Sequence, residues 1–326
     1  MNSAKPRIQR RALHGVLLLD KPIGLSSNDA LQKVKWLYRA EKAGHTGTLD
    51  PLATGLLPIC FGAATKFSQV SLDADKGYLA TLRLGQTTVG GDREGEILAE
   101  RPVNVTGEQL LHAVASFLGP IDQIPPMQSA LKKDGRALYE YARAGIEVER
   151  AARRVTIHRL DIVSWQPDEL LLTLDVRCTK GTYVRTLAQD LGELLGCGAH
   201  LAALRRTHSG GLGLAQAVTL TQLAEEDADA RDARLQRPDT LLADWPALSL
   251  PDTEAARFLT GLRRRVALPD TPAVRVYGPQ GAEGPLPRFL GPDCSAAFLG
   301  SGHILAGELI ADRLLSPVEV QALLVS

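Results

Sequence analysis

Between residues 44 and 55 the chain sets Gly44, Gly47 and Gly55, His45, three threonines and Pro51 around a single carboxylate, Asp50. Glycine reaches backbone conformations closed to other residues and proline locks φ, so this density fixes an irregular loop. Pro51 also drives Asp50 out of the α region, so its carboxylate projects from an extended residue at a tight turn. The apolar runs Val16 to Leu19 and Leu56 to Cys60 on either side read as buried strands. A fold that contains this stretch must carry a rigid, non-repetitive loop out of a sheet. The loop either presents an acid to a ligand or is an ordinary surface turn with an N-capping Asp.

Several chemistries are excluded locally. The stretch lacks the Gly-Lys-Ser/Thr ending of a phosphate-binding loop. No second carboxylate stands beside Asp50 in sequence, although Asp20 or Asp92 can approach it in space. His45 has no companion His or Cys at metal-ligand spacing, so the reading is an acid working without metal.

With 326 residues, 44% hydrophobic and 23% charged, the chain has the composition of a globular protein with a core. It divides into a larger unit, residues 1–245, and a smaller one, residues 246–326, with Trp245-Pro246 at the boundary. No apolar run is long enough to span a membrane, and no apolar signal core follows Lys5, Arg7, Arg10 and Arg11. Cys60, Cys178, Cys197 and Cys294 are scattered without a Cys-x-x-Cys, which reads as reduced thiols in a cytoplasmic protein. Net charge is zero, yet residues 1–70 carry ten basic side chains against four acidic ones, a local +6. The acidic run from Glu225 to Asp229 lies far away in sequence. A basic face balanced elsewhere suits selective RNA binding; its alternative is a solvated charged surface.

The loop and its surroundings resemble the bacterial tRNA pseudouridine synthase B family. The resemblance runs over most of the chain: Gly15 to Pro22 with its Lys21-Pro22, Gly24-Leu25-Ser26-Ser27, Gly62 to Lys66, and Lys76-Gly77-Tyr78. Pro125 to Lys132 and Lys180 to Arg185 continue the ordered series. It implies an α+β pseudouridine-synthase fold, a mixed but largely antiparallel central sheet flanked by helices, plus a small β-rich, PUA-like C-terminal domain. It also implies isomerisation of uridine 55 in the T-loop of tRNA, with no cofactor, no obligate protein partner and a monomeric enzyme. Asp50 takes the catalytic position. Tyr183 and Leu204 fall on the uridine pocket, His45 on an RNA contact, and Tyr78 on the ring that stacks on the base. Two further classes stay open: a guide-RNA-dependent dyskerin-type synthase, and a non-catalytic RNA-folding protein.

Local patterns complete the reading. Ser26 or Ser27 caps a helix with Ala30, Leu31, Val34, Leu37 and Tyr38 inward, and Thr106 to Gln109 forms a capping box. That second helix is expected to turn Leu110, Leu111, Val114, Phe117 and Leu118 inward. A short helix from Ala63 to Val70 carries Lys66 outward, and Lys21 and Lys66 are candidate structural or phosphate contacts. Lys76 to Leu84 alternates as a strand. Residues 125–154 interleave Lys132, Lys133, Arg136, Arg143, Arg150, Arg153 and Arg154 with Tyr139 and Tyr141. That suits a hairpin gripping RNA, or a charged helical excursion. Val155 to Val163 and Leu170 to Cys178 pair around a turn, after which a helix turns Leu187, Leu191, Leu194 and Leu195 inward. Arg185 lies in its first turn, opposed by the helix dipole, and so calls for a carboxylate partner, for which Asp50 is the choice. Residues 219–228 read as one helix, and the acidic region to Asp244 as a surface excursion.

Overall fold

In the strand Gly15–Lys21, Val16 and Leu18 face one side and Leu17 and Leu19 the other, and all four are buried. A strand apolar on both faces must be covered on both, and two separate cores do so. The structure, a computed structural model, describes residues 9–279 and 296–325. Lys5 and Arg7, Cys294 and most of the insertion around residues 278–291 lie outside the described residues.

The main sheet runs, in spatial order, Val218–Thr219, Gly15–Lys21, Ala53–Phe61, Ala199–Ser209, Lys76–Leu84, Leu171–Cys178, Arg153–Gln166 and Gly119–Gln123. Two pairings in this series are parallel, Gly15–Lys21 with Val218–Thr219 and Ala53–Phe61 with Ala199–Ser209; the others are antiparallel. The sheet is therefore mixed and largely antiparallel. The helices Ser27–Leu37, Gly107–Ala115, Val184–Leu194 and Leu220–Glu225 bury one face, with Leu31, Val34, Leu110, Val114, Leu187 and Leu191 as their main contributions. Fully burying each such side chain is worth about 1.5–3 kcal/mol.

The opposite face, around Val16, Leu18, Leu56 and Cys60, packs on a second sheet ordered Ala247–Ser249, Thr271–Pro279, Ala296–Leu305, Glu308–Leu314 and Arg264–Arg265. Phe67 and Tyr277 close on Phe298 with ring centroids 5.0 and 5.8 Å away. The β-rich C-terminal region thus sits behind the main sheet, leaving the helical side for the loop that carries Asp50.

Some local expectations are corrected. Leu111 and Leu118 are exposed because the nine-residue helix Gly107–Ala115 buries only the stripe Leu110, Ala113 and Val114. Leu194 is exposed as well, one step round from Leu191. The segment after Gly62 begins as a 3-10 helix, Gly62–Phe67, whose tighter turn redirects Lys66. Residues 219–228 hold the Leu220–Glu225 helix and the start of a second, Ala228–Asp232, separated by Glu226 and by Asp227, which caps the second. The region to Asp244 is not a mere surface excursion. Val16 and Gln236 exchange backbone hydrogen bonds of 2.7 and 2.8 Å, Arg231 accepts from the Tyr38 hydroxyl through its carbonyl, and buried Asp239 accepts from Tyr277 at 2.8 Å.

Candidate active site

The acid-bearing loop leaves the sheet where one strand changes neighbours. Residues 59–61 of Ala53–Phe61 pair with Ala43–His45, whereas residues 53–55 pair with Leu204, Arg205 and Arg206. Residues 46–52 bridge that switch. Asp50 opens a β-turn with Pro51 second, closed by the Ala53 N–H donating to the Asp50 carbonyl at 3.0 Å. Leu49 and Leu52 plug the loop into the core, and the Ser27 hydroxyl accepts from the Leu49 N–H at 2.7 Å. The Ser71 hydroxyl donates to Thr46 Oγ1 at 2.8 Å, and the Gly24 N–H to the Pro51 carbonyl at 2.8 Å. Gly55 has φ +98°, and a Cβ there would stand 2.3 Å from the Arg206 carbonyl oxygen, so no other residue fits.

Asp50 keeps 39% of its side chain exposed and pairs, through Oδ2, with Arg185 Nη2 at 3.1 Å. The carboxylate partner expected for a first-turn arginine is present. Arg185 is only 6% exposed and also lies 3.7 Å from Asp92. It donates to the carbonyls of Gln128 at 2.8 Å and Gly90 at 3.2 Å, so its planar fork is held from several directions. Burial pushes the Asp92 carboxyl above the usual range, with Arg185 pulling the other way. Asp92 reaches this place on the turn at Gly90 and Gly91, both at positive φ; a Cβ on either would strike Gln128 or Gln189. Asp20, the other candidate neighbour, is instead held bidentately by Arg205.

Arg206 was not singled out in the sequence, and it lies beneath the loop. It is 1% exposed, donates from Nε to the Leu56 carbonyl at 2.6 Å and from Nη2 to that of Gly47 at 3.4 Å, and stands beside the Tyr78 hydroxyl. Its signal was the strand period: Leu204 and Arg206 share a face. Tyr78 is 9% exposed, in register with Arg206, and burial raises its phenol pKa. Leu204 is half-buried against the same core, in register with Ala53 and Ala80. His45 Nδ1 is buried without a hydrogen-bond partner, and burial followed by Arg206 lowers the ring's pKa. Tyr183 caps the Arg185 helix, its N–H donating to Gln123 Oε1 at 3.0 Å.

A cleft of about 670 Å³ opens at Asp50, walled by Gly90, Asp92, Gln128, Arg143, Arg150 and Arg185 among others. Tyr78, Tyr183, Leu204 and His45 lie near the loop and not on that wall. The 125–154 segment contains both a hairpin, Lys132–Lys133 with Arg136–Ala137, and a helix, Leu138–Arg143. Arg136 and Arg143 lie over the rings of Tyr141 and Tyr139 at 4.6 and 5.3 Å. Lys132, Lys133, Arg153 and Arg154 are all exposed; Lys133 donates to the Glu149 carbonyl and Arg154 pairs with Asp122. Arg150, on the cleft wall, has a buried Nε without a hydrogen-bond partner.

Of the structural and phosphate roles open to them, Lys21 and Lys66 both make structural contacts. Lys21 is fully buried and donates to the carbonyls of Pro22 and Leu25 at 2.9 and 2.6 Å; burial lowers its pKa to about 8. Lys66 pairs with Glu319 at 2.6 Å and donates to the Leu314 carbonyl, tying the two sheets' regions together. Among the described residues no helix is long and apolar enough to cross a membrane.

Comparison with known proteins places this geometry. Residues 35–184 match the model of the TruB family pseudouridylate synthase N-terminal domain, and residues 185–243 that of the tRNA pseudouridylate synthase B C-terminal domain. The chain is 54% identical to the tRNA pseudouridine synthase B of Verminephrobacter eiseniae, over 99% of this chain and 95% of that one. It is 57% identical to that of Ralstonia pickettii, over 94% of this chain and 95% of the other. Among solved structures, a chain of a Cbf5-Nop10-Gar1 complex superposes with a TM-score of 0.69 at 21% identity, covering 94% of this chain and 87% of that chain. A chain of an H/ACA RNP bound to a substrate RNA containing 2'-deoxyuridine gives 0.66 at 21%, covering 92% and 84%. These last two establish the pseudouridine-synthase fold alone.

Proposed function

The chain belongs to the TruB family of pseudouridylate synthases, and from that premise we propose that it isomerises uridine 55 in the T-loop of tRNA, using Asp50 on a base flipped out of the loop. The observation that carries the reading is the Asp50–Arg185 pair at the mouth of an arginine-rimmed cleft. The class of enzyme, a tRNA pseudouridine synthase, follows from near full-length relatives of that name.

The chemistry needs little equipment. The bond from uracil N1 to the ribose C1′ breaks, the uracil turns while held, and C5 bonds to C1′. The proton on C5 leaves and N1 gains one, so atoms balance with no redox change and no group transferred. Asp50 acts either as nucleophile at C1′ or as the base that removes the 2′ proton, and both roles require its negative charge. Arg185 aims the carboxylate from 3.1 Å with its planar fork, and buried Asp92 sits within reach of the same guanidinium. Withdrawing the base from the loop's stack costs a few kcal/mol, of order 3. Tyr78, Tyr183 and Leu204 are the groups proposed to receive the uracil, and His45 to contact the RNA. The exposed cations of the insertion, Lys132 and Arg153 with Lys133, Arg136 and Arg154 beside them, are proposed to hold phosphates.

The relatives at 54% and 57% identity are named for tRNA, whereas the 21% neighbour is one chain of a Cbf5-Nop10-Gar1 complex, and the higher identity supports a tRNA enzyme. We extend the proposal to a single chain acting in the cytoplasm as a monomer, with no cofactor and with residues 1–245 as the catalytic unit. A T-arm stem-loop alone should be a substrate, because RNA bases are most readily splayed from single-stranded loops. Mapping pseudouridine in a T-arm hairpin after incubation tests this: modification confined to the uridine equivalent to 55 is expected. Reaction of full-length tRNA alone, with the hairpin inert at high concentration, would overturn the recognition model.

A further inference from the structure

The helix Ser27–Leu37 does two things at its ends. At the start, Ser27 holds the Asp50 loop through Leu49. At the other end Trp36 is 70% exposed, lining a small hollow of about 290 Å³ with Arg10, Gln32, Lys35 and Arg39. Among the described residues, no ion pair engages Arg10, Lys35 or Arg39. Residues 33–42 hold four cations, Lys33, Lys35, Arg39 and Lys42, against the one acid Glu41.

The helix dipole accounts for cations at a helix C-terminus, but it accounts neither for an exposed indole nor for the backbone at Arg39. Arg39 follows the C-cap with φ +51°, the left-handed position where glycine is the unstrained choice. The turn is held by the Arg39 N–H on the Trp36 carbonyl and by the Arg11 N–H on that of Arg39. A locally unfavoured arginine beside an exposed tryptophan is what remains when the side chains serve a ligand. An aromatic face framed by unpaired guanidinium and ammonium groups fits an unstacked base with its flanking phosphates.

We propose that Trp36, Arg39, Lys35 and Arg10 form a second RNA-contact site, which stacks an unpaired base of the tRNA outside the T-arm. The proposal rests on the reading that the T-arm occupies the Asp50 cleft. Trp36 lies nine residue steps along the helix from Ser27, about 14 Å along the axis. A single rigid element therefore fixes the distance between the reacting uridine and the second contact.

The test compares two RNAs, unmodified full-length tRNA and its T-arm hairpin, with the full chain and the variants Trp36→Ala and Arg39→Gly. Arg39→Gly relieves the left-handed backbone, so the variant must fold, and its melting temperature should hold or rise. Each variant is expected to weaken full-length tRNA binding by about tenfold, while hairpin affinity and turnover change less than about twofold. Arg39→Gly should also lower the salt slope of tRNA binding by about one, and Trp36→Phe should recover most of the affinity lost in Trp36→Ala. Equal losses on both RNAs would place the patch within the hairpin grip and overturn the proposal. No loss on either would leave a solvated helix end, and overturn it too. Failure of the wild-type chain to bind the hairpin would instead refute the T-arm reading itself.

Discussion

Changing Asp50 to Asn should leave a folded protein that binds tRNA and makes no detectable pseudouridine. The amide nearly matches the carboxylate in shape, still precedes Pro51, and removes only charge and basicity. Both routes open to Asp50 need that charge, so neither survives. The loop is held by Leu49, Leu52, Thr46 and the Gly47 carbonyl, and the side chain itself is part-exposed, so the fold should lose little. Arg185 retains Asp92 and two carbonyls. Affinity for unmodified tRNA should therefore change by less than tenfold, about 1.4 kcal/mol. Substantial residual turnover in D50N would move the catalytic acid elsewhere, with buried Asp92 next to be tested.

Arg185→Met should cut turnover by about 10²–10³, the scale for removing one preorganised hydrogen-bond donor, while tRNA affinity changes far less. Its partners are Asp50, Asp92 and two backbone carbonyls, and none is placed as a phosphate would be. The substitution also leaves two carboxylates without their shared cation. Of the two only Asp92 is buried, so the variant's melting should be measured beside its kinetics. Arg185→Lys keeps the charge without the planar fork; it should stay folded and still lose about tenfold or more in turnover. Equal losses in binding and turnover, with a reduced salt slope, would mean that Arg185 contacts the RNA backbone instead.

What could be read before the structure was local. A serine at 26 or 27 announces the first helix, which the structure caps at Ser26, Thr106 announces another through a capping box, and the alternation of Lys76–Leu84 announces a strand. The acid loop was legible because glycine and proline at fixed offsets constrain a backbone without help from the rest of the chain. Arg185 could be paired with Asp50 because an arginine at a helix N-terminus calls for an anion. What stayed hidden depends on chain segments far apart. Asp20 and Asp92 were both open as neighbours of Asp50, and what the sequence could not decide is settled by the Gly90-Gly91 turn, which packs on Gln128 and Gln189 and brings in Asp92. Arg206 lies beneath the loop only because Ala199–Ser209 inserts between Ala53–Phe61 and Lys76–Leu84. Lys66 looked like a surface cation because its partner, Glu319, is 253 residues away. Leu111 and Leu194 were misplaced for a smaller reason: a short helix has room for one buried stripe, and apolar residues beside it remain outside.

On the proposed function, this single chain isomerises uridine in tRNA through Asp50. Release of tritium from tRNA carrying 5-³H-uridine reads the step directly, since the C5 proton leaves only when the new carbon–carbon bond has formed. The purified chain, with no guide RNA, partner protein or added cofactor, should release tritium to the extent of one uridine per tRNA, and D50N should release none. An inert wild-type chain that nonetheless binds the tRNA, or D50N releasing tritium as fast as wild type, would contradict the account.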